Sequence, residues 1–288
     1  MRSDSEDHTQ NISEIELDRR SFRRKQTVKS VFVSCFSLLV LAAVIIFALS
    51  HSEGWARVQY TYFNPEFFVL SLPQVAKGFL LNLRVFGCAL VIIPILASTL
   101  AIIRTTRSAV LFPLRVLAVA YTSLFRGLPL IILLYLIGFG IPTLGIFGRM
   151  EMWVLGLTAI SLSYAAYVSE IIRAGIEAVH PSQRMAARSL GFTYGRTMRI
   201  VIFPQAVRKV IPALMNDFIA LQKDVGLVSI LGVVDAIRQA YKFTAVYFNY
   251  TSYIVAGLIF ILTSLPFILL TDWYSRKVQR REQLQGAV

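Results

Sequence analysis

Residues 164–227 read YAAYVSEIIRAGIEAVHPSQRMAARSLGFTYGRTMRIVIFPQAVRKVIPALMNDFIALQKDVGL, a basic, helix-forming loop between two apolar stretches. Pro181 suits a first helical turn, where its missing N–H costs nothing, and Met185, Ala186, Ala187, Arg188 and Leu190 favour helix up to a glycine stop at Gly191. A helix of about ten residues is marginal alone in water, so this one needs a surface to pack on. Its basic neighbours place it on the cytoplasmic side of a membrane.

The rest of the chain agrees with a membrane. Of 288 residues, 56% are hydrophobic and 16% charged, and the apolar residues come in long runs. A net charge of +13 could indicate nucleic acid, but the basic residues lie between apolar runs, which is a pattern of membrane orientation. Cys35 and Cys88 lie within apolar runs as small packing residues, with no disulfide framework implied.

Residues 1–30 read as a largely disordered cytoplasmic tail, acidic early and basic from Arg19 to Lys29, with the basic end against anionic lipid. Residues 31–50 are uncharged and long enough to span. They exceed the roughly 7 to 15 residues of a signal-peptide core, and no small-x-small cleavage site follows, so they are expected to stay as an anchor. The aromatic-rich residues 51–75 are expected to lie at the outer interface. Further spans are expected at 75–103, 114–141, 152–172, 210–234 and 252–273, with Gly127 and Pro129 loosening the third and Pro266 kinking the last. Residues 276–288 form a second basic tail.

This is an all-α membrane protein with six spans and both ends in the cytoplasm. The charges agree: 21 of the 29 Lys and Arg fall on the cytoplasmic side and 5 on the other. No G-x-x-x-x-G-K-[ST] phosphate loop occurs, so any ATP must be handled by another chain. His8, His51 and His180 all lie outside the spans, which disfavours intramembrane Ser/His or zinc hydrolysis.

Five short motifs follow one another: Y-x-x-E-x-x-R at 167–173, A-A-x-S-L-G at 186–191, F-P-Q-A at 203–206, P-A-L-x-N at 212–216 and K-D-x-x-L at 223–227. R-G-x-P at 126–129 precedes them, and GFLLNLRVF at 78–86 resembles a family G-x-x-x-T-L segment with Asn82 for Thr. Together they resemble the permease subunit of bacterial ABC importers for polar amino acids, over residues 74–275. The resemblance implies a five-helix type I permease core, with residues 31–50 as an added helix and the loop 173–209 carrying the coupling helix. It implies coupling contacts from Gln183, Met185, Ala186, Ala187, Arg188, Leu190 and Gly191. It also implies partners: an ATP-binding subunit that uses ATP and Mg, an extracytoplasmic solute-binding protein, and a second copy or a related permease, all in the lipid of the inner membrane. No cofactor bound by this chain, no metal, no enzymatic activity and no nucleic acid partner are implied. Where the family has Gly and Glu in G-Q-x-E-A-A, this sequence has Ser182 and Met185, so an ion pair from that Glu to the ATPase cannot form.

Polar residues within the spans are the candidates for a substrate cavity: Asn82, Arg84, Arg126, Tyr167, Glu170, Asn216, Asp217 and Lys223. Asn216, Ala220, Lys223 and Leu227 recur at helical spacing, beside Asp217 and Asp224. Each candidate has a structural alternative. Glu170 can pair with Arg173 near the headgroups, Asp217 can pair with Arg84 or Arg126, and Asn82 can bond between helices. Arg126 can hold the carbonyls freed by Pro129, and Lys223 with Asp224 can pair with neighbouring spans. Glu170, Asp217 and Asp224 would also serve as the ion sites of a proton- or sodium-coupled carrier, the alternative to an ATP-driven permease.

Overall fold

The computed structural model describes residues 14–285 apart from 107 and 147, and all of its regular structure is helical. The chain divides into two compact units, residues 1–60 and 61–288.

The first unit holds α1 (Glu14–Ser50) and most of α2 (Trp55–Tyr62). The sequence reading made residues 1–30 a disordered tail, yet from Glu14 onward they are helix; residues 1–13 lie outside the described residues. The correction has a plain cause. No Gly or Pro interrupts 14–50, and extending a helix already nucleated in the apolar run adds one hydrogen bond per residue fixed. The apolar part, Lys29–Ser50, has 22 residues and rises about 33 Å.

The second unit begins with α3 (Pro65–Thr105), 41 residues long. The helix that carries the span expected from 75 starts ten residues earlier, so 65–75 are helical. Asn64 caps the helix by accepting from the N–H groups of Glu66 and Phe67, and Pro65 stands in the first turn. The segment expected as one span at 114–141 is two helices, α4 (Phe112–Gly127) and α5 (Leu130–Thr143), bent by 108°. Leu128 is forced into extended backbone by the proline after it. With 14 residues, α5 rises only about 21 Å, short of a hydrocarbon core of about 30 Å.

Next come α6 (Met152–Glu177), α7 (Pro181–Ser189), the single turn α8 (Tyr194–Arg196) and a π-helical turn (Thr197–Ile202) that leads into α9 (Phe203–Asp224). A 3-10 segment (Val225–Leu231) follows, where the expected span at 210–234 would have continued as α-helix. It ends at Gly232, and α10 (Ala236–Tyr247) and α11 (Thr251–Gln285) complete the chain, with Pro266 inside α11. Among the described residues four helical runs are long and apolar enough to cross a membrane, or five if α4 and α5 count as one broken span. α9, with Arg208, Lys209, Asp217, Lys223 and Asp224, is not among them. The fifth expected span, 210–234, thus begins as a charged helix packed on α6 and α11.

The main core joins α3, α5, α6 and the end of α9. Val85, Ala89, Ile93 and Ala97 recur every fourth residue on α3 and meet Leu155, Ala159 and Ile160 of α6. The alanines let the two backbones approach closely, which is how helices associate where water provides no drive. A second cluster, Val75, Phe79, Ala236, Ala240 and Val255, joins the first half of α3 to α10 and α11. A third, Ile176, Val179, Ile202 and Ala206, lies at the junction of α6 with the π-helical turn.

Candidate functional site

The loop around α7 is held from both sides. Arg184 Nη2 donates to the Ile176 carbonyl at 2.9 Å, and Lys209 Nζ donates to the Ala178 carbonyl at 2.7 Å. Gln205 reaches Gln183 at 3.5 Å. Gly191 has φ +80°, the left-handed conformation expected of a helix stop, and the Phe192 N–H closes onto the Ala187 carbonyl at 3.1 Å. The expected docking face needs one correction. Ala187 is 4% exposed and packs inward, whereas Met185 is 62% and Leu190 77% exposed. Ala186, Arg188 and Ser189 are exposed too, so the outward face is larger and more apolar than an alanine strip.

Glu170 of α6 gathers three arginines. Arg104 Nη1 from α3 lies 2.7 Å away and Arg126 Nη1 from α4 lies 3.7 Å away, while Arg173 binds both Glu170 and Glu177. Tyr167 donates to the Arg126 carbonyl at 3.0 Å, next to the break between α4 and α5. The sequence reading named Arg173 alone as partner. Arg104 and Arg126 are 66 and 44 residues from Glu170 in the chain, and no local spacing connects them.

Between α3, α6 and α9 lies a cavity of about 680 Å³, lined mostly by apolar side chains such as Ile93, Val168, Val210 and Leu221. Asp217 lines it, and its Oδ2 is buried with no hydrogen-bond partner among the described residues. The expected pairing of Asp217 with Arg84 or Arg126 is absent: Arg126 faces Glu170, and Arg84 stacks on the Trp153 ring at 4.1 Å. Trp153 is the second residue of α6, so Arg84 packs against the start of that helix. Tyr164, which sequence reasoning passed over, lines the same cavity and donates to Asp224 Oδ2 at 2.7 Å. Arg199 and Tyr194, from the segment between α7 and α9, line it too.

The other candidates lie elsewhere. Asn82 is 1% exposed and wholly engaged: Nδ2 donates to Asp235 Oδ2 at 2.9 Å and to the Val225 carbonyl at 3.3 Å, and Oδ1 accepts from the Ala236 N–H. Gly78, one turn away, lets the Asp235 backbone approach so closely that a Cβ would come within 2.6 Å of its carbonyl oxygen. This knot fastens α10 to α3. Asn216 and Lys223 are exposed on α9, and no carboxylate lies within 4.0 Å of Lys223 among the described residues. The site therefore has three separate parts: the outward face of α7, the Glu170 hub, and the cavity around Asp217.

This arrangement, a helical bundle with a short helix projected on a stapled loop, is that of a transporter's membrane subunit. Residues 111–280 match the family described as binding-protein-dependent transport system inner membrane component, and the chain belongs to that family. It is 35% identical over 211 residues to the arginine transport system permease protein ArtQ of Bacillus subtilis (strain 168), covering 73% of this chain and 93% of that one. It is 34% identical to the glutamate/aspartate import permease protein GltK of Escherichia coli O157:H7, covering 73% and 95%. Among solved structures, an amino acid ABC transporter with histidines matches with a TM-score of 0.66 at 34% identity, covering 73% of this chain and 96% of that one. The chain is a transport subunit and not an enzyme, and its family takes the place of the ion-coupled carrier reading.

Proposed function

We propose that this chain, the permease subunit of an amino acid ABC importer, carries polar amino acids with a positive group across the bacterial inner membrane, with both termini in the cytoplasm. The observation that carries the reading is the unpartnered carboxylate oxygen of Asp217 in an otherwise apolar cavity of about 680 Å³. A cavity of this size holds a single small molecule. Its acid supplies what an amino acid's ammonium, or a cationic side chain, would otherwise lose with its water.

An extracytoplasmic binding protein delivers the substrate, and a second permease, a copy or a relative, completes the path. A separate ATPase subunit hydrolyses ATP with Mg, since this chain has no phosphate loop. Met185 and Leu190 on the exposed face of α7 enter a cleft of that subunit, and the hydrophobic effect replaces the ion pair that a Glu at 185 would make. The bonds from Arg184 and Lys209 make the loop a stiff lever on the ends of α6 and α9. Glu170 passes the movement to α3 and α4 through Arg104 and Arg126.

The test is uptake in liposomes that contain this chain with its ATPase and binding protein. Amino acid accumulation that requires ATP supports the reading. Accumulation driven by an ion gradient, with no need for the ATPase, would sink it.

A further inference from the structure

A second cavity, of about 860 Å³, opens beside α7 between the end of α3, the start of α4 and the π-helical turn. Among the described residues seven buried side-chain polar atoms have no hydrogen-bond partner, and four of them belong to residues lining this cavity: Arg104 Nε, Arg115 Nε, Arg184 Nε and Thr197 Oγ1. Thr197 is 5% exposed. Each arginine is already pinned by one bond of its own, Arg104 to Glu170, Arg115 to the Ser108 carbonyl at 3.0 Å and Arg184 to the Ile176 carbonyl. Their forks are thus oriented before any ligand arrives, with donors to spare. Arg188 adds a fourth positive charge. Glu177 is the carboxylate on the lining, and Arg173 occupies it.

We propose that this cavity binds a phosphate ester, the headgroup of an anionic membrane lipid, and that the bound headgroup ties α7 to α3 and α4. Several arginines and a hydroxyl on one lining, with unpaired donors and net positive charge, suit a phosphate, which accepts several bonds from guanidinium and hydroxyl groups at once. The remaining wall, Ile176, Val179, Met198 and Ile202, is apolar and suits the glycerol and first methylenes of a lipid better than a free anion. On the reading above, this is the cytoplasmic face where spans leave the hydrocarbon, and basic pockets between helices at that level hold anionic headgroups. A soluble phosphate has the same chemistry and is separated by experiment.

Native mass spectrometry of the purified permease–ATPase complex, titrated with phosphatidylglycerol, phosphatidylcholine or inorganic phosphate, reads the site directly. Wild type retains phosphatidylglycerol in preference to phosphatidylcholine. Arg115→Gln with Arg184→Gln weakens that retention about tenfold or more, and Thr197→Val, which keeps shape and removes one hydroxyl, weakens it a few-fold. Displacement of the lipid by millimolar inorganic phosphate assigns the site to a soluble phosphate; no displacement assigns it to lipid. Equal retention by wild type and all variants overturns the proposal. So does loss of the ATPase subunit from the variants with lipid retention unchanged, which gives the cavity to an acidic side chain of that subunit. Lipid retention does not depend on which solute is carried, so failure of the amino acid reading would appear in uptake and leave this result standing.

Discussion

The Tyr164 hydroxyl donates to Asp224 Oδ2 at 2.7 Å, fastening the middle of α6 to the last residue of α9. Seven residues earlier on α9, Asp217 lines the same cavity with an oxygen that has no partner. One acid is satisfied by a neighbouring helix, and Oδ2 of the other meets no donor among the described residues.

Tyr164→Phe removes a hydrogen bond to a carboxylate with little change of shape. The complex should lose about 1 to 3 kcal/mol of stability, read as a lower thermal midpoint in detergent. Asp224→Asn should cost less when Tyr164 is already Phe, because the two mutations remove one shared bond. Additive losses would mean that the bond contributes nothing.

Asp217→Asn should change which substrates are carried rather than whether the protein folds. Removing the charge should lower uptake of basic amino acids relative to neutral ones, measured as competition against one labelled substrate. An unchanged ranking with undiminished uptake would show that Asp217 does not read the substrate's charge, and an equal loss for every substrate would exclude a role in choosing by side-chain charge.

Glu170→Gln should leave the chain inserted but loosen the hub that joins α3, α4 and α6. Arg104 and Arg126 would then lose their carboxylate, while Arg173 keeps Glu177. Transport should fall while ATP hydrolysis by the complex continues, a separation seen by measuring both in the same liposomes. A parallel fall of both would place Glu170 in stability alone.

The two faces of α7 make opposite demands on Ala187 and Met185. Ala187→Asp buries an uncompensated charge within the chain and should lower the amount of folded protein. Met185→Asp lies in the open and should leave folding intact while releasing the ATPase subunit during purification. If Ala187→Asp folded normally and lost only the ATPase, the inward orientation would be wrong.

How far the sequence carried can be seen at single residues. Pro181 and Gly191 bounded α7 because first-turn proline and left-handed glycine are local requirements. The inward turn of Ala187 was hidden, because Ala186 beside it is the same residue and only packing on the π-helical turn selects a face. Pro129 announced a break, but composition could not distinguish a loosened span from a bend of 108°. Asn64-Pro65 was a legible helix start that the aromatic residues after it obscured. Arg104, Arg126 and Glu170 come from three helices, and their meeting follows from tertiary packing that no periodicity encodes.

The most direct measurement is ATP hydrolysis in liposomes by the complex of this chain with its ATPase, with and without substrate-loaded binding protein. The account predicts stimulation by the loaded binding protein in wild type and none in Met185→Asp/Leu190→Asp, with the variant permease inserted in equal amount. Wild-type stimulation in that double variant would contradict it, since α7 would then not be the element through which the ATPase acts.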